Sequence, residues 1–508
     1  MGQRGLLSES TFEIIFVITK KEVTIMSEKA TGFPKQVHVL ITFALMFGIG
    51  FIPPVSQLTV SGMKILGILI GAIYGITFCA PAWPCLLGMF ALAALGVAPV
   101  GTVLATGIGS DSVMLMIFFF IFVAVLEQNK ITEFMATWMI TRKVVQGRPW
   151  LFSYIMIIGT MFTGALGSSF PAMIVFWGIL ISVCKMYDIK PFTKYPTVMF
   201  MGIAIGGLAS SSTWLFRGNP LFVNATLKQI SEGALALNFG IYAAFSFIMW
   251  MIVIAGYILM CKYIFKIDLG ALSNIDDSVV NKEYLVLNKR QKVTMFYMLL
   301  VLVAYCGIGF TPAQSPLGQY FALLGVTLPI ALILVLMAVT VIDGEPILDF
   351  PKAARHGVVW DTVILSGALL SISTIMMTTD TGVAQSILAV LSPVFAGKSP
   401  IFMCVIIVLI SVILTNFMAN TTVGLMFTPV IYSFSLNMGF NPMPLIAMML
   451  VSIHIAYLTP AASPFASLLF GYSNWVKPGD IYKYGLATCI AMVVVFLVIG
   501  IPLSNILF

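Results

Sequence analysis

The residues of this chain best equipped for chemistry are short polar clusters set inside long apolar stretches. Gly167-Ser168-Ser169 stands in the middle of the apolar stretch 150–185, and Ala419-Asn420-Thr421-Thr422 in the middle of 400–437. Downstream of the first comes Ala209-Ser210-Ser211-Ser212-Thr213, then Arg217 and Gly218-Asn219-Pro220. Downstream of the second come His454 and Thr459-Pro460-Ala461-Ala462-Ser463-Pro464. Small polar residues beside Gly and Pro favour a helix that stops and restarts. Such a break exposes orphan N–H groups on one half-helix and orphan C=O groups on the other. The N–H end, with its positive dipole, favours an anion. Carbonyls with Ser, Thr and Asn oxygens favour Na⁺, a hard cation. Non-covalent binding of small ions is therefore the chemistry on offer. It needs no buried charge, which would be costly at membrane depth.

Other chemistries lack their residues. Glu127, Asp188 and Glu345 are isolated, so the ionisable clusters of an integral membrane enzyme are missing. The seven Cys (79, 85, 184, 261, 306, 404, 489) are scattered and mostly apolar in context. They read as small core residues, not disulfides or metal ligands. The three His (38, 356, 454) are too dispersed for a metal site. No cofactor is expected. Asp111 and Asp380 fall near span ends and are expected to face water.

The composition says what must hold these clusters. The chain has 508 residues, is 60% hydrophobic and only 9% charged, with a mean hydropathy of +1.06. Soluble proteins carry roughly 25% charged residues. Lipid is therefore the solvent for most of the surface. A span needs about 20 apolar residues. Spans are predicted at about 37–54, 60–79, 82–98, 110–128, 196–215, 237–261, 293–311, 318–342, 357–376, 443–472 and 484–507. The stretches 150–185 and 400–437 are too long for one span and read as re-entrant hairpins, tolerated only when buried in protein or lining a cavity. The expected fold class is thus an all-α polytopic membrane protein of about 11 helices plus two hairpins.

Loop charges orient it. Lys and Arg gather in the segments 20–35, 130–148, 185–194, 262–292, 352–355 and 477–483, while the turns 54–59, 98–110 and 312–317 carry none. The other side holds little beyond Arg217, Lys228 and Lys398. This predicts a cytoplasmic N-terminus, a C-terminus outside, and hairpins entering from opposite faces of a cell (inner or plasma) membrane. The net charge of +7 is explained by topology, so no nucleic-acid partner is expected. The first 35 residues hold charges on both sides of a short apolar patch, Phe12 to Ile18, which does not read as a secretory signal. The predicted organisation is a cytoplasmic segment 1–36, a first membrane half 37–265 with hairpin 150–185 and broken helix 196–225, a linker 266–292, and a second half 293–508 with hairpin 400–437 and broken helix 443–472.

Each half reads span, hairpin with a polar tip, broken span. An odd number of crossings separates the halves, so the repeat is inverted. Paired interrupted helices in inverted repeats point to a carrier's binding site near the bilayer midplane. A channel would need a repeated pore loop or a charge ring.

These motifs resemble the divalent-anion/sodium symporter family within the wider ion transporter superfamily. Leu414-Thr415-Asn416-Phe417-Met418-Ala419-Asn420-Thr421-Thr422 is similar to that family's second Ser-Asn-Thr tip, with Ala419 in place of Ser and Pro429 following. Leu458-Thr459-Pro460-Ala461-Ala462-Ser463-Pro464-Phe465-Ala466 is similar to its Leu-Pro-x-Gly-Thr-Pro-Pro-Asn break. In the first half Gly167-Ser168-Ser169 takes the place of the first tip, without its Asn. The first break aligns either with Ala209–Thr213 or with Gly218–Pro220. The resemblance implies a homodimer of scaffold and elevator-type transport domains in a lipid bilayer, carrying di- or tricarboxylates or sulfate by Na⁺ symport or by exchange. It implies substrate contacts at Ser168, Ser169, Asn420, Thr421, Ser463, Pro464 and Arg217. Candidate Na⁺ ligands are Thr163, Gly167, Ser168, Ser210, Thr213, Thr415, Ala419, Asn420 and Ala462. Arg217 can neutralise a substrate carboxylate or replace a bound Na⁺. His454 is a candidate for proton coupling or exchange. Na⁺ symport, proton coupling and exchange all stay open on the sequence.

Overall fold

The computed structural model describes residues 34–508 apart from 56, 81, 143–146, 273–285, 312–314, 318, 321–324, 326, 377, 384, 387–388, 390–398, 418, 461 and 473. Most of the N-terminal segment, half of the linker, and Lys20, Lys21, Lys29, Lys143, Lys282 and Lys398 lie outside the described residues.

Most of the described residues are helical. The first half holds α1 (Lys35–Gly48), α2 (Val60–Phe78), α3 (Ala82–Ala94), α4 (Val100–Thr106), α5 (Asp111–Gln128), α6 (Ile131–Ile140), α7 (Pro149–Leu166), α8 (Ser169–Met186), α9 (Lys194–Ser211), α10 (Gly218–Ile230) and α11 (Phe239–Tyr263). The second holds α12 (Lys289–Phe310), α13 (Thr327–Val339), a two-stranded hairpin of β1 (Val341–Ile342) and β2 (Glu345–Pro346), α14 (Phe350–Gly357), α15 (Trp360–Met376), α16 (Pro400–Thr415), α17 (Asn420–Met438), α18 (Met443–Ser452), α19 (Pro464–Gly471), α20 (Pro478–Val495) and α21 (Ile501–Leu507).

Several helix starts follow from local chemistry. Thr59, Ser110, Asn238 and Ser399 each accept a backbone N–H of the first turn of α2, α5, α11 and α16, the usual N-cap arrangement. Asn288 and Gln291 form a reciprocal capping box at α12. The eleven runs expected to span do not all become long helices. Among the described residues five helices are long and apolar enough to cross alone: α5, α7, α8, α11 and the run Pro478–Leu507. A sixth candidate is the pair α14 and α15, bent by 72°. Of the others, α3, α13, α16 and α18 are shorter, at 10 to 16 residues. The short helices α4, α6 and α14 were not anticipated.

Two hydrophobic clusters make up the core. One gathers the hairpin α7–α8, the helix α9, the helix α11, the arm α16 and the C-terminal helices α18 to α20, with Trp177, Phe200, Trp250 and Tyr457 fully buried. The other gathers α2, α3, α5, α12, α13 and α15. Phe216, Leu221, Phe222, Ala225 and Leu425 join the second cluster from the chain around α10 and α17. The broken elements therefore bridge two packed bodies.

Helices approach closely where Gly removes a side chain. A Cβ on Gly71 of α2 would stand 2.7 Å from the Met46 backbone nitrogen, so α1 and α2 pack backbone to backbone, the small-residue device of membrane interfaces. Gly71→Leu should force these helices apart at a cost of roughly 1–3 kcal/mol, read as a lower melting temperature in detergent. Gly256→Ala, where nothing lies within 4 Å of the added carbon, should leave it unchanged or raise it slightly.

Candidate functional site

The first hairpin turns at Gly167-Ser168 between α7 and α8. It lies flat against α9 because Gly206 presents no Cβ; one there would stand 2.5 Å from the Ile157 carbonyl. This packing brings the tip to the first break. The break runs over Ser212–Arg217, between the end of α9 and the start of α10. It starts inside the first of the two registers offered by the sequence, at Ser212, and ends where the second begins: Ala209, Ser210 and Ser211 are still helical, and Gly218 starts the next helix. The reason lies on α11. Tyr242 and Ser246 hydroxyls donate to the Ser212 carbonyl at 2.7 and 3.1 Å, and Trp250 Nε1 donates to Ser212 Oγ at 2.5 Å. Ser212 is thereby held out of the helical ladder, with its buried polar groups satisfied.

Arg217 closes this half of the site. Its Nη1 donates to the carbonyls of Gly167 at 2.6 Å and Ala165 at 3.2 Å. Its Nη2 donates to the Gly164 carbonyl and to Ser169 Oγ, both at 2.8 Å. Trp214 Nε1 adds a bond to the Ala165 carbonyl at 3.0 Å. The guanidinium thus fills the C-terminal end of α7, where orphan carbonyls and the negative end of the dipole collect. Ser211 Oγ donates to Ser169 Oγ at 3.1 Å, joining break to tip. Ser210 and Thr213 bond back to carbonyls of their own helix, Gly207 and Ala209. Thr163 Oγ1 is buried without a partner. Ser168 forms no cap bond, but its side chain hydrogen-bonds Glu127. Glu127, expected to be isolated, therefore reaches the tip from α5.

In the second half Thr415 and Asn416 organise the tip. Thr415 Oγ1 meets Asn420 Oδ1 at 2.9 Å and the Ile453 carbonyl at 2.6 Å. Asn416 Nδ2 donates to the carbonyls of Val412 and Ile455 at 2.8 and 2.7 Å, while its Oδ1 accepts Leu458 N at 2.9 Å. Thr459 Oγ1 donates to the Asn416 carbonyl at 2.5 Å. The second break was expected at Thr459–Pro464, with His454 in the helix before it. It begins earlier: α18 ends at Ser452 and α19 starts at Pro464. Side chains of the hairpin claim Ile453, Ile455 and Leu458, and the helical ladder gives way there before any proline is reached. Ser463 spans the end of the break, donating to the Ala456 carbonyl at 2.6 Å and capping Ala466 N at 3.1 Å. Pro464 is the first helical residue of α19. Ala462 is buried, its N–H on the Thr459 carbonyl.

The halves meet through Asn219. Its Nδ2 lies 3.2 Å from His454 Nε2, and its Oδ1 accepts the Thr421 hydroxyl at 2.5 Å. Phe170 and Phe465 stack edge to face at 5.8 Å on the other side. Asn219, Asn416, Trp214 and Glu127 were not singled out as site residues. A Gly-Asn-Pro element and an Asn within the second tip motif were the available signals for the first two.

Helix N-termini complete the arrangement. No side chain caps α8, α10 or α17, whose N-cap residues are Ser168, Arg217 and Ala419. The N-terminus of α19 is capped by Ser463. The N–H ends of three half-helices can thus receive an anion. Beside Arg217, a cleft between Ala165 and Leu166 on one body and Phe119, Phe122 and Met298 on the other has a volume of about 10 Å³, room for about one water.

Known proteins agree with this architecture. Residues 76–327 match the citrate transporter (CitMHS) family model. A stretch of 149 residues is 24% identical to the uncharacterized transporter YfbS of Escherichia coli (strain K12), covering 28% of this chain and 24% of that protein. The match thus spans about a quarter of the relative's length. The Alcanivorax borkumensis YdaH transporter superposes with a TM-score of 0.56 over 83% of this chain and 89% of its own, at 11% identity. The chain shares the fold of this transporter, and its residues 76–327 resemble the citrate transporter family. MtrF of Neisseria gonorrhoeae, described with a class of antimetabolite efflux pumps, superposes with a TM-score of 0.54 over 81% of this chain and 84% of its own, at 13% identity. At these identities the likeness carries the fold alone. The matching family model and the structural neighbours are all transporters, not enzymes.

The tip–break ties can be weighed. Asn416→Ala would leave two buried carbonyls and one N–H without the bonds they now make. Each orphaned group costs about 1–3 kcal/mol. The variant should melt well below the parent protein in detergent, whereas Asn437→Ala, which loses one bond to the Ser433 carbonyl, should melt close to it.

Proposed function

We propose that this protein is a secondary carrier of small organic anions, di- or tricarboxylates, that works by Na⁺-independent exchange. The observation behind this reading is the placement of Arg217. Its guanidinium takes four acceptors at the tip of the first hairpin, where carbonyl oxygens would otherwise hold a coupling cation. A covalently attached charge cannot dissociate. A carrier built this way needs no Na⁺ at that position to assemble its site. In the second half Thr415 Oγ1 lies within hydrogen-bond distance of Asn420 Oδ1 and of the Ile453 carbonyl, and its one hydrogen serves one of these two acceptors.

The anion is held by the open N-termini of α8, α10 and α17, with the Arg217 charge close by. Ser169, Asn420 and Thr421 supply directional contacts. Exchange follows from electrostatics: a part-buried guanidinium whose four partners are all neutral makes the empty site costly to move through lipid. The body containing both hairpins moves elevator-fashion against the body containing α2, α3, α5, α12, α13 and α15. The narrow cleft between them supports this, since a dicarboxylate fits only if the bodies part. The same reading has the N-terminus in the cytoplasm of a cell membrane and pairs the scaffolds of two copies in a homodimer.

Uptake into proteoliposomes preloaded with dicarboxylate tests the coupling. Replacing Na⁺ by choline should leave uptake within about twofold, and omitting internal anion should reduce it at least tenfold, a loss of about 1.4 kcal/mol per decade in the barrier. Uptake that collapses in choline overturns the reading. Arg217→Lys should lose most uptake as well, because one ammonium cannot reproduce a planar fork on four acceptors.

A further inference from the structure

The hydrogen bonds joining the two halves run in one direction, and that direction ends at the site. His454 Nδ1 lies 2.7 Å from the Leu450 carbonyl, which can only accept, so Nδ1 carries a hydrogen. The Asn219 amide nitrogen can only donate, and it lies 3.2 Å from His454 Nε2. Nε2 therefore offers its lone pair, and the imidazole is neutral. This turns Asn219 Oδ1 toward Thr421, whose hydroxyl donates to it at 2.5 Å. A threonine hydroxyl has one hydrogen, and here it is engaged. The remaining capacity of Thr421 Oγ1, half-buried in the first turn of α17, is that of an acceptor.

We infer that Asn219 and His454 are positioning residues that make Thr421 a hydrogen-bond acceptor, and that the site thereby selects carboxylates bearing a hydroxyl group. The inference rests on the carboxylate reading above. The open N–H groups of α17 take a carboxylate, and Thr421 Oγ1, on the same turn, takes the O–H of the bound anion. A carboxylate without a hydroxyl meets these lone pairs with C–H or with another oxygen. The acceptor is then left unpaired, which is how polar sites reject an analogue lacking one donor. His454 touches no substrate in this scheme. It acts by fixing which end of the Asn219 amide faces Thr421.

Malate and succinate differ by one hydroxyl and supply the test. In proteoliposomes, malate should half-saturate transport at a concentration at least about tenfold below succinate. Thr421→Val keeps the shape and removes the acceptor; the malate-to-succinate ratio should fall toward one. Thr421→Ser should keep the ratio. Asn219→Leu frees the Thr421 hydrogen and should also flatten the ratio with succinate still carried. If Thr421→Val abolishes all uptake, Asn219→Leu decides. Equal half-saturation in the parent protein, or a ratio that survives the loss of the acceptor or of Asn219, overturns the inference and leaves the carboxylate reading standing. Transport of neither acid overturns both.

Discussion

A backbone carbonyl inside a bilayer has no water to turn to, and this constraint shapes the centre of the molecule. Each hairpin tip and each helix break releases carbonyls that must find a donor within the protein. At the first tip Arg217 meets the need with one planar group that serves three carbonyls and a hydroxyl. The position of the first break follows, because the chain must leave α9 at Ser212 for residue 217 to reach back over the tip. The pocket of donors on α11, Tyr242, Ser246 and Trp250, keeps that exit open.

The second half solves the same problem with neutral groups. Thr415 and Asn416 exchange bonds with the backbone around Ile453 to Leu458, and Thr459 donates back to the Asn416 carbonyl. The two halves are thus alike in plan and unlike in charge. One carries a fixed cation and the other a closed web of amides and hydroxyls. Asn219 couples them, since it contacts both His454 and Thr421 across more than two hundred residues of sequence.

Much of this plan was legible in the amino-acid sequence because its cause is local. Low charge and long apolar runs state the solvent directly, and the tip and break motifs together resemble one superfamily. What local pattern could not supply was the identity of distant partners. The early end of α18 is imposed by Thr415 and Asn416, which come from another helix, so a reading centred on Pro460 and Pro464 set the break too late. Likewise Ser212, not the run Ala209–Thr213 as a whole, leaves the helix, because only Ser212 has Tyr242 and Trp250 waiting for it. Uninterrupted spans were read closely, as 60–79 against Val60–Phe78 and 110–128 against Asp111–Gln128 show.

Ser463 differs from the N-cap residues of the other half-helices around the site. It occupies the N-terminus of α19 with its own hydroxyl, while α8, α10 and α17 are left open. The helix-end dipoles around the site are therefore unequal, with open N–H ends concentrated toward the first half and the second tip. An anion charged at both ends and held as proposed would feel a stronger pull at one end than at the other.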